Sequence, residues 1–298
     1  MRKAFIQLHL AVFLAGLTGI LGRLIELNAA LLVWWRLLIS AVTMWILFAL
    51  MKKLHRLSKK DIMKVAGVGV IASLHWVTFF ASIKYSTVSV ALVCFSAVGF
   101  FTAILEPLIT GRKFRAVELL LGLLVMAGIF IIFHFDPAYK TGILVGLVSA
   151  FLGSIFPICN GIFVKRMNTE TLMTYELTGG LLALTVLMPV YVYLFPTNYF
   201  FPTSSDWGWL LILAWLCSVW AFQLSANALK KISAFTVNLT YNLEPVYGII
   251  LAFLVYQENE LLTGGFYAGL SLILLAVVLQ TIRVYRDRKN PSAIHQNN

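Results

Sequence analysis

The sequence predicts an all-α integral membrane protein of ten spanning helices, arranged as two inverted five-helix repeats with both termini in the cytoplasm. Three observations carry that prediction. Hydrophobic residues make up 60% of the 298 positions and charged residues only 12%, about half the charge of a soluble domain. Apolar runs of roughly 20 residues, the length a bilayer core demands, follow one another with short breaks. The basic residues fall between those runs with a one-sided bias.

Taken in order, the first five runs cover residues 4–21, 29–51, 62–83, 88–109 and 117–135. The second five cover residues 141–164, 173–195, 207–228, 235–256 and 262–283. Hydrocarbon offers the backbone no hydrogen-bonding partner, so each run is expected to be a helix even where Val and Ile abound. The N-terminus (Met1, Arg2, Lys3, then an apolar stretch) resembles a signal peptide, yet it shows no clear small-x-small cleavage site and reads as the first span.

Of the 23 Lys and Arg residues, 19 lie on one side of the alternation. They include Lys52, Lys53, Arg56, Lys59, Lys60 and Lys64, then Arg112, Lys113 and Arg115, then Lys165, Arg166, Lys230, Lys231 and the basic tail. The opposite side holds Arg23, Lys84 and Lys140, and Arg36 sits within a span. That asymmetry is what the positive-inside rule predicts for ten helices with cytoplasmic ends, and it places the chain in a cell inner membrane. It also accounts for the net charge of +11 without nucleic acid as a partner. Cys94, Cys159 and Cys217 lie inside apolar runs without metal-ligand spacing and read as packing residues. No zinc pattern, phosphate loop or nucleophile elbow is present, so neither cofactor nor enzymatic activity is implied.

The halves resemble each other. His75-Trp76 matches Val219-Trp220 at an offset of 144, and Ser89 falls on Ser233. Ala15 and Gly16 resemble Gly153 and Ser154. Five spans per half is an odd number, so the second half must insert upside down, the arrangement that sets a transporter's site near the midplane between repeats. Leu105-Glu106-Pro107 and Leu243-Glu244-Pro245 look like a further match but differ in register, the first at a helix end and the second at mid-helix.

Trp35-Arg36-Leu37-Leu38 opening span 2, Asn242-Leu243-Glu244-Pro245-Val246-Tyr247 in span 9, and Gln257-Glu258 just beyond it resemble the EamA-type members of the drug/metabolite transporter superfamily. Gly111-Arg112 departs from the Gly-Glu that often ends span 4 there. The resemblance covers nearly the whole chain. It implies EamA-like repeats at residues 1–136 and 137–286 with a short cytoplasmic tail at 287–298. It further implies a monomeric carrier of small metabolites, often amino acids, without a cofactor.

Ionisable groups at bilayer depth are costly and need a partner or a purpose. Glu244 lies in the middle of span 9, and Pro245 deprives the Tyr241 carbonyl of its helical bond. Thr240, Glu244 and Gly248 share one strip, with Asn238 and Asn242 nearly opposite, so this helix is surrounded by protein or water. Glu244 fits either proton or ion coupling or a structural carboxyl that holds a kinked helix. Trp220, Gln223 and Asn227 share a face of span 8; His75, Thr78 and Ser82 share a face of span 3, beside Trp76. Ser89, Ser96, Gly99, Ala103 and Glu106 form a small and polar stripe on span 4. Packing between helices explains such stripes as well as a binding site does. The expected substrate-binding residues are His75, Trp76, Ser96, Trp220, Gln223, Asn227, Asn238, Tyr241 and Asn242. Arg36 is expected to snorkel to the interface as an outer anchor or helix-pair partner; the sharper alternative is attraction of an anionic group, and a direct pair with Glu176 is not expected on depth.

The function expected is secondary transport, in the export direction, of a small polar organic metabolite such as an amino acid, by alternating access through a cavity between spans 3, 4, 8 and 9. A membrane-embedded enzyme or an assembly subunit acting on lipid-linked substrates is the alternative. The expected partners are the small-molecule substrate, the lipid bilayer and a proton or other ion.

Overall fold

Apolar runs in this chain become helices because only a helix satisfies its own backbone in lipid. The computed structural model describes residues 2–135, 137–229, 240–241 and 243–289. All regular structure among them is helical. The first half comprises α1 (Arg2–Leu24), α2 (Ala29–Leu50), α3 (Lys59–Tyr85), α4 (Val88–Phe95), α5 (Val98–Thr110) and α6 (Ala116–Phe135). The second comprises α7 (Lys140–Phe163), α8 (Thr169–Leu194), α9 (Ser204–Ala214), a π-helical turn (Trp215–Trp220), α10 (Ala221–Leu229), α11 (Glu244–Tyr256) and α12 (Gly264–Lys289). Among the described residues nine helical segments are long and apolar enough to cross a membrane, and α11 is a shorter apolar helix.

Two expected spans are locally irregular without leaving helical backbone. Span 4 divides into α4 and α5 at Ser96 and Ala97, with Ser96 as the C-cap of α4. Span 8 passes through the π turn, which Ser218 supports by donating from Oγ to the Leu213 carbonyl at 3.1 Å. Such turns recur at functional sites in helices. Span 3 starts at Lys59 because Ser58 caps it, accepting the Asp61 N–H.

Glycines decide which helices approach closely. A Cβ at Gly69 would meet the Glu176 carbonyl oxygen at 1.9 Å, and one at Gly180 would meet the Gly69 oxygen at 2.7 Å. These positions let α3 and α8 pack backbone to backbone. Gly16 does the same for α1 against Glu244 and Gly248 of α11, and Gly128 faces Gly269 where α6 meets α12. The span-10 glycine at 269 thus serves a contact within the chain. Many large apolar side chains, Val186, Leu182 and Leu254 among them, are exposed on the helices, as a lipid-facing surface requires.

Candidate functional site

Arg36 is the residue whose placement departs most from the sequence reading. It is 4% exposed, about 10 Å into α2 from Ala29 at 1.5 Å per residue. Its guanidinium does not snorkel to the interface. Three polar or aromatic groups from other elements hold it inside the bundle. Nε donates to Ser218 Oγ in the π turn at 2.9 Å. The cation lies 4.5 Å from the Trp76 ring centroid and 6.0 Å from that of Phe80, both on α3. Glu244 and His75 are within its electrostatic reach. Glu176 is not its partner: that carboxylate is buried and accepts from Asn160 Nδ2 at 2.9 Å, binding α8 to α7.

Glu244 stands at the start of α11, where Pro245 occupies the first turn of the helix. The backbone of α1 approaches it through Gly16. Its side chain is partly exposed. An acid at bilayer depth faces the bundle interior or a water-filled cavity, and Glu244 lies where α11 meets α1.

His75 and Trp76 are adjacent, and a helix turns 100° per residue, so they face different neighbours. Trp76 faces Arg36. His75 is buried, with Nδ1 2.9 Å from both the Ser149 carbonyl and Ser149 Oγ on α7. Rings of Phe79, Phe95 and Phe156 surround the imidazole, and Gly153 leaves room for it. This geometry makes His75 a pin between α3 and α7.

Ser96 is partly buried between α4 and α5, its hydroxyl donating to the Leu92 carbonyl. Gly99, three residues on, is exposed and a Cβ there would meet nothing within 4 Å. Gln223 has a buried Nε2 without a partner among the described residues. Asn227 is half-buried and Trp220 is exposed at the end of the π turn. Tyr241 packs against Ala4, Leu8 and Val12 of α1. Asn238 and Asn242 lie outside the described residues. The four expected faces therefore meet only in part. α4 packs on both α3 and α11, while α10 and α11 both pack on α1. Helices α1 and α2, which the stripe pattern did not include, form walls of the site.

A second cluster joins the ends of α1, α4 and α11. Glu258 is fully buried, accepts the Val88 and Ser89 N–H groups at 3.0 and 2.8 Å, and pairs with Arg23. Arg23 also lies over the Tyr256 ring, and the Tyr256 hydroxyl donates to the Ile20 carbonyl at 2.8 Å. The sequence flagged Glu258 only through the family pattern; its capping role depends on Ser89 being brought alongside it.

Two halves of apolar helices with polar side chains buried between them define a helical membrane protein. The chain matches the EamA-like transporter family over residues 2–134 and again over residues 140–282, and it belongs to that family. A solved structure titled "Crystal structure of protein" shares the fold, with a TM-score of 0.64 at 16% identity, covering 96% of this chain and 99% of that one. No curated protein matches the chain.

Proposed function

We propose that this membrane transporter is a secondary carrier that exports a small polar organic metabolite, an amino acid or related compound, by alternating access. The observation that carries this reading is Glu244. This acid opens α11 beside α1, within electrostatic reach of Arg36, in a chain built of two like repeats. Inverted repeats place substrate and coupling-ion sites near the bilayer midplane, where the repeats meet. Trp76, Ser96 and Gln223 supply further polar and aromatic surface from α3, α4 and α10. His75 supports that surface by holding α3 against α7.

In this reading the carrier works as a monomer in the cell inner membrane with both termini cytoplasmic, as the distribution of basic residues favours. Glu244 carries the coupling proton or ion. The test is flux of labelled amino acids and metabolites in proteoliposomes at two imposed pH gradients. Saturable flux of one compound, altered by the gradient, is expected. Folded protein that moves nothing on a broad panel would refute the reading.

A further inference from the structure

Arg36 has more hydrogen-bonding capacity than the protein uses. A guanidinium presents five N–H donors in a rigid planar fork. Nε is engaged by Ser218 at 2.9 Å, and the Ser218 proton is already committed to Leu213. That serine can therefore only accept from Arg36, which sets the orientation of the fork. Trp76 lies 4.5 Å beneath it and fixes its plane. Nη1 is buried with no hydrogen-bond partner among the described residues. None of the ion pairs among the described residues involves Arg36.

A cation buried at bilayer depth without an ion-pair contact is costly to the fold. Ser218 and Trp76 hold it in place without forming a salt bridge to it. Glu244 interacts with it only at longer range. A planar guanidinium whose Nη1 has no partner among the described residues matches a carboxylate, the acceptor it pairs with best. One guanidinium with an acid within electrostatic reach suits a singly charged oxyanion better than a doubly charged phosphate. The Glu244 side chain then faces whatever cationic group the same molecule bears.

We infer that Arg36, held by Trp76 and Ser218, is the docking point for the carboxylate of the transported molecule, so that the cargo is an organic carboxylate. This rests on the transport reading above, and deepens it by naming a residue and a ligand chemistry.

The test reads binding without requiring flux. Thermal unfolding of the purified protein in detergent is followed with the proteinogenic amino acids, pyruvate and benzoate, each paired with its own carboxamide. At least one acid should raise the unfolding temperature saturably, and its carboxamide should need about tenfold more or worse, as expected for a lost charge-assisted bond. Arg36→Gln should abolish the response. Arg36→Lys, which keeps the charge without the fork, should weaken it by about tenfold. Without ligand, Arg36→Gln and Arg36→Lys should still unfold in a single cooperative transition; loss of that transition in both would mark Arg36 as a structural element and overturn the inference. So would a response to carboxamides equal to that of the acids, a response kept in Arg36→Gln and Arg36→Lys, or no response to any acid. The two readings fail separately. Flux of a cargo lacking a carboxylate leaves transport standing and removes the inference, whereas Arg36-dependent carboxylate binding without flux does the reverse.

Discussion

Glu258 pairs with Arg23 at a point where the carboxylate is fully buried, and in doing so it ties the last turn of α1 to the first turn of α4. The acid serves two purposes at once. It accepts two N–H groups that a helix N-terminus leaves unbonded, where negative charge is favoured, and it compensates the arginine. Breaking a buried pair by removing one partner costs about 3–5 kcal/mol. The Arg23 side chain is 36% exposed, which reduces that cost. Glu258→Ala is therefore expected to lower stability in detergent by about 1–3 kcal/mol, chiefly through the α4 amides left without an acceptor. Glu258→Gln should lower it by less, since the amide oxygen keeps one acceptor for them. Equal stability of Glu258→Ala and wild type in thermal unfolding would contradict this account.

Gly69 and Gly67 offer a paired test of helix approach on α3. A methyl at Gly69 would overlap the Glu176 carbonyl, so α3 and α8 must separate; overpacking of this kind costs about 1–3 kcal/mol or more. At Gly67 nothing lies within 4 Å of the same methyl, and replacing helical Gly by Ala gains up to about 1 kcal/mol. Gly69→Ala should thus lower the unfolding temperature and Gly67→Ala should leave it unchanged or raise it. The same sign at both positions would show that the α3–α8 approach is not close.

Glu244→Gln is expected to abolish the pH dependence of flux while the protein still folds, because the amide keeps the shape and loses the exchangeable proton. Flux at two imposed pH gradients measures it. Unchanged pH dependence in a well-expressed variant would assign the carboxyl to holding α11 beside α1.

His75→Ala removes a buried ring that contacts α7 and three phenylalanines. A loss near 3 kcal/mol, roughly the lower end for a buried ring, is expected in thermal unfolding. The pH response of flux should persist in the same variant. A selective loss of that response, with stability intact, would instead make His75 a titrating group of the transport path.

Residue types and their order were enough to read the membrane class, the spans and the doubling of the chain. Those features depend on hydrophobicity and length, which each segment carries by itself, and a bilayer converts them directly into helices. Glu244 was also legible, since a lone acid within an apolar run is anomalous wherever its neighbours lie. Arg36 was not. A basic residue eight positions into a span reads as an interfacial anchor until the π turn of span 8 sets Ser218 against it and α3 sets Trp76 beneath it. The same holds for His75-Trp76, read as one cavity-lining pair and divided by the helix between α7 and Arg36. The sequence by itself determined which segments enter the membrane and how often. Only the tertiary structure decided which polar groups meet, because partners such as Arg36 and Ser218 stand 182 residues apart, and their meeting depends on how the helices are rotated and packed.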